Sequence, residues 1–309
     1  MIGGALFLQS RRDGDNGGSG PKRSKQSSGD TVTVACAPEL MGVCGALASK
    51  GVKVFKDPVD LDNAVSAAPT IDAWLTYGPA PGMVNAGANN KVFGNGEVVA
   101  SGRLAVVTSI ERAAALEKDC KVSAITWKCL VQSAGVDWNR IDPALPGTVK
   151  IGVGNLSSAL GTILVGPLAL ATADGPDPGI DEIDTKATGQ VLSSVDQKPV
   201  EDELSDIVTI GLGAFSAVAA PEGAATRSAA TTRGQGLGLQ AFYPAPVATC
   251  SVVLSPPSGR AVPKAILDAV GQPAATRALL AAGWKAPSRA KSSGLPASDV
   301  LFALGRELS

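Results

Sequence analysis

The most constraining feature of the sequence is an alternation of short β-branched segments with helix-forming segments in the first quarter of the chain. Residues 31–36, 52–55 and 71–76 are enriched in Val, Ile, Thr and aromatic residues and are typical of strands. Helices are predicted between them, over residues 38–50 and 58–67. Because this order places crossover helices on the faces of a sheet, the sequence predicts an α/β fold with a mostly parallel sheet.

The same alternation continues to residue 282. Further strands are predicted at 104–108, 149–153, 207–213, 215–220, 237–243 and 249–254, and further helices at 111–118, 124–132, 159–171, 261–270 and 274–282. Residues 77–82 are predicted to be irregular, because Gly and Pro interrupt regular structure. Residues 174–206 hold ten acidic residues and two lysines, which predicts a solvated linker and helix face. Residues 287–309 are predicted to form a C-terminal tail.

Composition and charge exclude several classes of function. The 309 residues are 45% hydrophobic and 18% charged, which favours a folded chain with a sizeable core over a disordered one. Lys and Arg number 27 against 28 Asp and Glu, so the basic surface that a nucleic-acid partner requires is not expected. Histidine is absent, which excludes Ser-His-Asp and Cys-His catalysis and any metal site that uses imidazole. We therefore expect no metal and no cofactor.

Sequence motifs give little support to catalysis or nucleotide binding. The chain contains no P-loop and no GxSxG nucleophile motif. Gly152 and Gly154 follow a predicted strand, but Ser157 stands where the third glycine of a dinucleotide fingerprint would be. The SxxK match at 288–291 lies in a Ser-, Lys- and Gly-rich segment and is expected to be a chance match.

Polar and acidic side chains precede three of the predicted helices. Asn155, Ser157 and Ser158 lie beside the free N–H groups of the helix at 159–171, where they either contact an anion or polar ligand or only cap the helix. Glu39 and Glu222 each follow a proline and a strand at the start of a helix. A catalytic pair of carboxylates is one interpretation, but complementing the positive end of a helix explains each glutamate singly.

The five cysteines indicate the cellular compartment. Cys36 and Cys44 form one close pair along the chain, and Cys120 and Cys129 form another. Close pairs suit local disulfides in an exported protein, with Cys250 left as a buried thiol; the alternative is that all five are small core residues.

The N-terminal 30 residues favour export. Residues 1–8 are apolar but too short for a membrane span, and residues 9–30 are rich in Gly, Ser and charge, as flexible tethers are. The segment is interpreted as the remainder of a signal or membrane anchor followed by a linker, although an ordinary apolar start fits the same residues. This predicts an extracellular or cell-surface protein tethered to the membrane.

The ordered chain resembles a known family over residues 31–286. It is similar to bacterial extracellular solute-binding proteins with the type 2 periplasmic-binding fold, in particular to the molybdate- and sulfate-type branch and to solute-binding-like domains of actinobacterial surface proteins. The residues that carry the resemblance are 32–40, the W-x-x-L helix at 127–130, the strand and serine loop at 149–161, and the segments 215–225, 241–244 and 261–284.

The resemblance implies an architecture of two α/β lobes, each a mostly parallel sheet flanked by helices. The first lobe would comprise residues 31–103 with 245–286, and the second residues 109–240. The strands at 104–108 and 240–243 would form the hinge and should therefore lie side by side.

The resemblance also implies a ligand cleft where strands end and helices begin. The ligand-binding residues expected there are Pro38, Glu39, Tyr77, Gly78, Asn155, Ser157, Ser158, Glu222 and Tyr243. Oxyanion-binding relatives carry Ser or Thr in the first strand-helix loop, where Pro38-Glu39 stands here, and Thr-Ser in the later loop, where Ala219-Ala220 stands here with Pro221-Glu222 following. Two carboxylates at the cleft would repel an oxyanion, so we expect a neutral or cationic small polar solute.

The expected function is that of a noncatalytic, monomeric solute-binding protein that passes its ligand to an ABC permease. The alternative is a surface interaction or sensor domain that kept the fold and lost transport, with another cell-surface protein as partner. An enzyme on the same scaffold is the third possibility, against which the absence of histidine counts.

Overall fold

The computed structural model describes residues 31–49, 51–175, 177–286 and 292–309. Its strands are β1 (Val32–Cys36), β2 (Val52–Val54), β3 (Ala73–Tyr77), β4 (Glu97–Ser109), β5 (Ile151–Gly152), β6 (Ala217–Pro221), β7 (Leu239–Phe242) and β8 (Thr249–Ser255). Its helices are α1 (Met41–Leu47), α2 (Ala64–Ala67), α3 (Ala80–Ala88), α4 (Ile110–Cys120), α5 (Trp127–Ser133), α6 (Trp138–Ile141), α7 (Ala159–Leu170), α8 (Thr185–Ser193), α9 (Val200–Thr209), α10 (Glu222–Ala230), α11 (Thr232–Gly236), α12 (Lys264–Val270), α13 (Pro273–Ala281) and α14 (Ser298–Leu308).

The strands pair in two groups. In the first group, β1 lies between β2 and β3 with both pairings parallel, and β8 joins β3 to β4 through antiparallel pairings. In the second group, β5 pairs parallel to β6, while β6 and β7 both pair antiparallel to β4. The predicted alternation of strands and helices is thus present on both sides of β4.

The long strand β4 belongs to both groups. Its first half pairs with β8, from Glu97 opposite Leu254 to Arg103 opposite Thr249. Its second half pairs with β6 and with β7, where Thr108 lies opposite Gln240. The side-by-side placement predicted for residues 104–108 and 240–243 is therefore confirmed, and residues 104–108 are part of a longer strand of 13 residues.

The core follows from burial of the central strands on both faces. All five residues of β3 and all five residues of β6 are buried, as expected for strands that helices cover on both sides. The helix α7 is buried along almost its entire length, and Pro167 lies inside it. The loops at the carboxyl ends of these strands are consequently held by a packed scaffold, which gives the candidate site fixed positions.

Three segments are more helical than the sequence predicts. Residues 77–82 were expected to be irregular, but α3 begins at Ala80, and Pro81 falls in its first turn, where a missing N–H costs nothing. A strand was expected at 207–213, but the amphipathic helix α9 continues to Thr209. The solvated linker and helix face expected at 174–206 include two helices, α8 and most of α9.

The prediction of a C-terminal tail over residues 287–309 is wrong for the second half of that segment. Residues 298–308 form α14, whose Val300, Leu301 and Leu304 are buried. This helix packs against α3, α7 and α8. Residues 1–30 and the SxxK match at 288–291 lie outside the described residues.

Candidate functional site

The turn after β1 carries Glu39. Ala37 ends the extended segment by donating its backbone N–H to the Leu75 carbonyl, and Pro38 then starts a single 3-10 turn. At the end of β3, the Tyr77 hydroxyl donates a long hydrogen bond of 3.4 Å to Glu39 Oε2. The predicted site residues Pro38, Glu39 and Tyr77 are therefore brought together.

Glu39 lies in a poorly solvated and acidic environment. Burial, the largest effect, together with the negative charges of Asp60 and Glu201 raises the pKa of Glu39 to about 7. Burial likewise raises the pKa of Tyr77 well above its usual range, with a smaller contribution from Glu39. Across the part of the chain that the structure describes, no Lys or Arg forms an ion pair with Glu39. Near neutral pH, Glu39 therefore exists in both its protonated and its ionised form.

Asp60 connects this corner to the second group of strands. Its Oδ1 accepts hydrogen bonds of 2.8 Å from two backbone N–H groups, those of Leu61 and of Ala159, the first residue of α7. Burial raises the pKa of Asp60 to about 6 despite these two donors. The sequence analysis missed Asp60. The signal was the segment Asp-Leu-Asp-Asn immediately before a helix, which is typical of capping turns.

The serine loop before α7 is held mainly by its own hydrogen bonds. Ser158 Oγ accepts from the Gly161 N–H and donates to the Asn155 carbonyl, so it is the N-cap of the helix. Asn155 Oδ1 accepts from the Ser157 N–H. Of the two interpretations that the sequence left open, capping is the observed role of Ser158.

Glu203 accepts a hydrogen bond from the backbone just before this loop. Its side chain is fully buried, and Oε2 accepts a 2.9 Å hydrogen bond from the Gly154 N–H. Burial raises the pKa of Glu203 to about 7. Near neutral pH Glu203 exists in both its protonated and its ionised form, and in either form Oε2 can accept the Gly154 hydrogen bond that holds the loop leading into α7.

Ser157 faces a different environment from Glu39. It lines a mostly apolar cavity of about 700 Å³ between α2, α3 and α14. Most of the side chains around it are apolar, among them Leu61, Met83, Leu156 and Phe302. Ser157 therefore lies at the polar edge of an apolar cavity.

Glu222 is the centre of an ion cluster at the start of α10. Arg103 donates to both of its carboxylate oxygens, at 2.6 Å from Nη2 and 3.2 Å from Nε, and Lys285 Nζ donates at 2.9 Å. The Tyr243 hydroxyl donates at 3.1 Å, and the Arg103 guanidinium lies 3.6 Å from the centre of the Tyr243 ring. Hydrogen bonding to Arg103, followed by Lys285, lowers the pKa of Glu222 to about 2.

This cluster corrects one expectation about charge. Glu222 was expected to make the cleft negative, but two cations neutralise it. Arg103 and Lys285 were missed because each is a lone cation in an apolar stretch, and their shared partner lies far away along the chain. Close backbone packing holds Glu222 near Lys285. The backbone of Gly223, which follows Glu222, packs so closely against Gly283 that neither position has room for a side chain.

The cavities around the predicted site are separate. Arg103, Glu222 and Lys285 line a cavity of about 270 Å³ beside β4 and β8. Gly78 lines another of about 640 Å³ with the start of α3 and residues 292–298. Tyr243 therefore contacts Glu222, and Tyr77 contacts Glu39. Gly78 lies on a separate cavity.

Both expected disulfides are present. Cys36 and Cys44 are bonded with Cα atoms 6.1 Å apart, across the turn that carries Glu39. Cys120 and Cys129 are bonded with Cα atoms 5.8 Å apart, between α4 and α5. Cys250 is a buried free thiol, and burial raises its pKa to about 12, so it is unreactive as a nucleophile.

Two further searches of the described residues give negative results. Within residues 31–49, 51–175, 177–286 and 292–309, no three His, Cys, Asp or Glu side chains are grouped so that they could hold a metal ion. No helix in these ranges has the length and apolar character needed to cross a bilayer.

Comparisons with known proteins bear on the fold. The sequence matches no protein-family model and no curated protein. A Trichodesmium protein (IdiA, FutA), solved in complex with iron and citrate ligands, is similar in structure with a TM-score of 0.55 at 10% identity, covering 90% of this chain and 96% of that chain. The apo ferric ion-binding protein A of Pasteurella haemolytica has the same TM-score and coverage at 11% identity.

These likenesses extend over nearly the whole of both neighbours and agree with the two groups of strands that β4 connects. At such low identity they establish the fold and nothing of the ligand. The chain therefore has the two-lobe α/β architecture of the type 2 periplasmic-binding fold.

Proposed function

We propose that this chain is a noncatalytic solute-binding protein that closes two lobes over a small polar ligand and passes it to an ABC permease. The lobes would be residues 31–103 with 245–286, and residues 109–240. Residues 104–108 and 240–243 would form the hinge.

One observation carries the proposal. Loops from both strand groups meet at the carboxyl ends of their strands, where Asp60 from the first group contacts Ala159 at the start of α7. In open α/β sheets this edge leaves side chains and helix N–H groups free for a ligand. The fold is shared with the Trichodesmium protein, solved in complex with iron and citrate ligands, and with the Pasteurella ferric ion-binding protein, and this supports a solute-binding role.

We assign the ligand contacts to two sides of the cleft. Pro38, Glu39, Tyr77 and Gly78 would contribute from the first lobe. The second side would be formed by Asn155, Ser157, Ser158, Glu222 and Tyr243. Since Glu39 and Asp60 have no ion-pair partner among the described residues, a neutral or cationic polar solute fits their side of the cleft better than an anion.

Glu39 has the raised pKa that an acid or base catalyst needs, but the remaining parts of a catalytic site have no support in the sequence. No nucleophile motif and no histidine accompanies it. We therefore infer a binding role for Glu39, as a hydrogen-bonding wall of the cleft.

A second function has one observation in its favour. The contact between Asp60 and Ala159 closes part of the cleft with protein atoms alone. A surface interaction or sensor domain that has lost transport would retain the fold with such a closed cleft, and its partner would be another cell-surface protein.

The two disulfides support an oxidising, extracellular location, because local disulfides persist outside the cytosol. We further propose that residues 1–30 tether the chain to the membrane, as their apolar and Gly/Ser-rich composition suggests. A monomer is proposed for the binding unit.

A thermal-shift screen of the full chain at pH 7 tests the proposed function. Sugars, amino acids, polyamines and oxyanions are compared, and the proposal expects a saturable rise in Tm with a neutral or cationic compound. With the compound found, Ser157→Ala and Glu222→Gln should each weaken binding by more than about 0.5 kcal/mol, which exceeds a surface effect. The exposed Ser258→Ala is the control and should bind as the wild type does. A screen without any hit favours the interaction domain.

A further inference from the structure

Asp60 occupies a position that an anionic ligand would otherwise take. The first N–H groups of a helix have no partner within the helix and attract negative charge. In this chain the N–H of Ala159 donates to Asp60 Oδ1 at 2.8 Å, whereas the Gly161 N–H is satisfied by Ser158. The carboxylate reaches α7 across 99 residues of sequence, so it is not a local cap of that helix.

The loop that carries Asp60 is built to hold it in place. The Asp60 N–H donates to Asn63 Oδ1, and the Asn63 amide donates to the Pro58 carbonyl. Val59 is tied on both sides, since its N–H donates to the Cys36 carbonyl and its own carbonyl accepts from the indole N–H of the buried Trp74. Asp60 thus approaches α7 from a rigid loop rather than from a free side chain at the surface.

The charges around this contact oppose a second anion. Asp62 acts on Asp60 directly, and Asp60 acts on Glu39, which also faces Glu201. Neither Asp60 nor Glu39 has an ion-pair partner among the described residues. A sulfate or phosphate at the start of α7 would have to displace the Asp60 carboxylate from the Ala159 N–H. It would also be repelled by the other acidic side chains nearby.

We propose that Asp60 is the specificity-determining residue of the cleft, a built-in carboxylate that fills the anion position at the start of α7 and excludes free oxyanions. It also fixes the loop of residues 57–63 against the second lobe. The proposal deepens the solute-binding function given above and rests on it, but its test needs no knowledge of the natural solute.

The experiment uses sodium sulfate as the probe, with sodium chloride at equal ionic strength as the reference. Calorimetric titrations compare the wild type, Asp60→Ala and Asp57→Ala, the matched control that removes an exposed acidic side chain three residues away. Asp60→Ala is expected to bind sulfate at least tenfold more tightly than the wild type, and Asp57→Ala to behave as the wild type does. The proposal is overturned if Asp60→Ala gains no affinity, or if both variants gain equally.

Amide hydrogen exchange at Ala159 gives a second measurement that separates this proposal from a general loss of structure. Asp60→Ala should speed exchange at Ala159 at least tenfold relative to the buried Leu164, and sulfate should restore protection. Asp60→Asn keeps an acceptor oxygen and the side-chain volume, so its Ala159 amide should stay protected, and it serves if the alanine variant does not fold. Unchanged exchange in Asp60→Ala, or lost protection in a folded Asp60→Asn, would contradict the assigned contact. A failed solute screen leaves both measurements valid, so the two proposals fail separately.

Discussion

Two turns of this molecule have the same local sequence and opposite electrostatics. Pro38-Glu39 and Pro221-Glu222 each follow a buried strand and open a helical segment. Glu39 is poorly solvated and lies near other carboxylates, and both effects raise its pKa to about 7. Arg103 and Lys285, in contrast, lower the pKa of Glu222 to about 2.

The difference shows that the chemistry of a glutamate at a helix start is decided by its distant partners. The helix end favours a negative charge in both turns, by an amount that is modest beside burial or a bidentate arginine. The Glu39 turn therefore exchanges protons near neutral pH. The Glu222 turn remains ionised and acts as a fixed ion cluster between β4, α10 and the segment after α13.

The largest expected effect that tests this comparison is a two-sided dependence of stability on pH. Glu39, Asp60 and Glu203 have raised pKa values in the folded state, so the folded chain binds more protons than the unfolded chain between about pH 4.5 and 7. The unfolding free energy should therefore increase as the pH falls from 8 to 5.5, by on the order of 3 kcal/mol. Below about pH 4.5 the lowered pKa of Glu222 reverses the sign, and its contribution is lost towards pH 2.

Urea unfolding at pH 8, 5.5 and 3 measures the change in stability in both pH ranges. In the triple variant Glu39→Gln, Asp60→Asn and Glu203→Gln, stability should no longer rise between pH 8 and 5.5, but should still fall towards pH 3. A wild type that loses stability from pH 8 to 5.5 would contradict the assignment of raised pKa values.

A slightly smaller effect is expected from the disulfide that spans the Glu39 turn. Cys36→Ala with Cys44→Ala should lower the unfolding free energy by about 2–3 kcal/mol, the loop-closure value for a bridge of this span. The loosened turn should also let the pKa of Glu39 fall towards its usual value. Cys120→Ala with Cys129→Ala is the matched control, with a similar loss of stability and an unchanged Glu39. NMR titration of the Glu39 carboxyl carbon distinguishes the two, and equal pKa changes in both would contradict the role of the first bridge.

The two glutamates should respond to the same substitution with opposite signs. At pH 8, Glu222→Gln leaves Arg103 and Lys285 without their counter-charge and should destabilise by about 1–2 kcal/mol, a range held low because both cations are partly exposed. Glu39→Gln removes a poorly solvated charge and should be neutral or stabilising by about 1 kcal/mol. Chemical denaturation of both variants at pH 8 checks the signs. The same sign for both variants would show that the two turns are equivalent after all.

The smallest effects are expected from the two tyrosines. Tyr77→Phe and Tyr243→Phe each remove one hydroxyl from a glutamate, and each should cost less than about 1 kcal/mol. The Tyr77 hydrogen bond lowers the pKa of Glu39, so its loss should raise that pKa further above 7. Glu222 should keep a strongly lowered pKa without Tyr243, because Arg103 and Lys285 remain. Carboxyl-carbon titration of the two variants makes the measurement, and a large rise in the pKa of Glu222 would assign Tyr243 a greater share than the arginine.

The sequence was sufficient for what depends on neighbouring residues. Alternating β-branched segments located β1, β3 and β8, and the spacing of the cysteines located both disulfides. The Thr126 cap of α5 was also predictable from the residue type before an apolar helix. Local patterns of this kind determine backbone conformation directly.

The parts that were missed depend on contacts far apart along the chain. α14 is a short amphipathic helix whose apolar face packs against distant parts of the chain, among them α3, α7 and α8. The ion cluster joins Arg103 to Glu222 across 119 residues, and Asp60 reaches Ala159 across 99. A single sequence carries no signal for such pairs, because a lone Arg or Asp is equally compatible with a solvated surface position.

The placement of α14 has a consequence for how tightly this chain could hold any solute. The helix rests on α3, which follows a strand of the first group, and on α7 and α8, which flank the second. If the chain closes two lobes over a solute, as proposed, parting them would require this helix to detach from one of its supports. Buried apolar side chains such as Leu301 and Leu304 would then contribute to the strength of capture. Evolution could tune the strength of capture there while leaving the chemistry of recognition untouched.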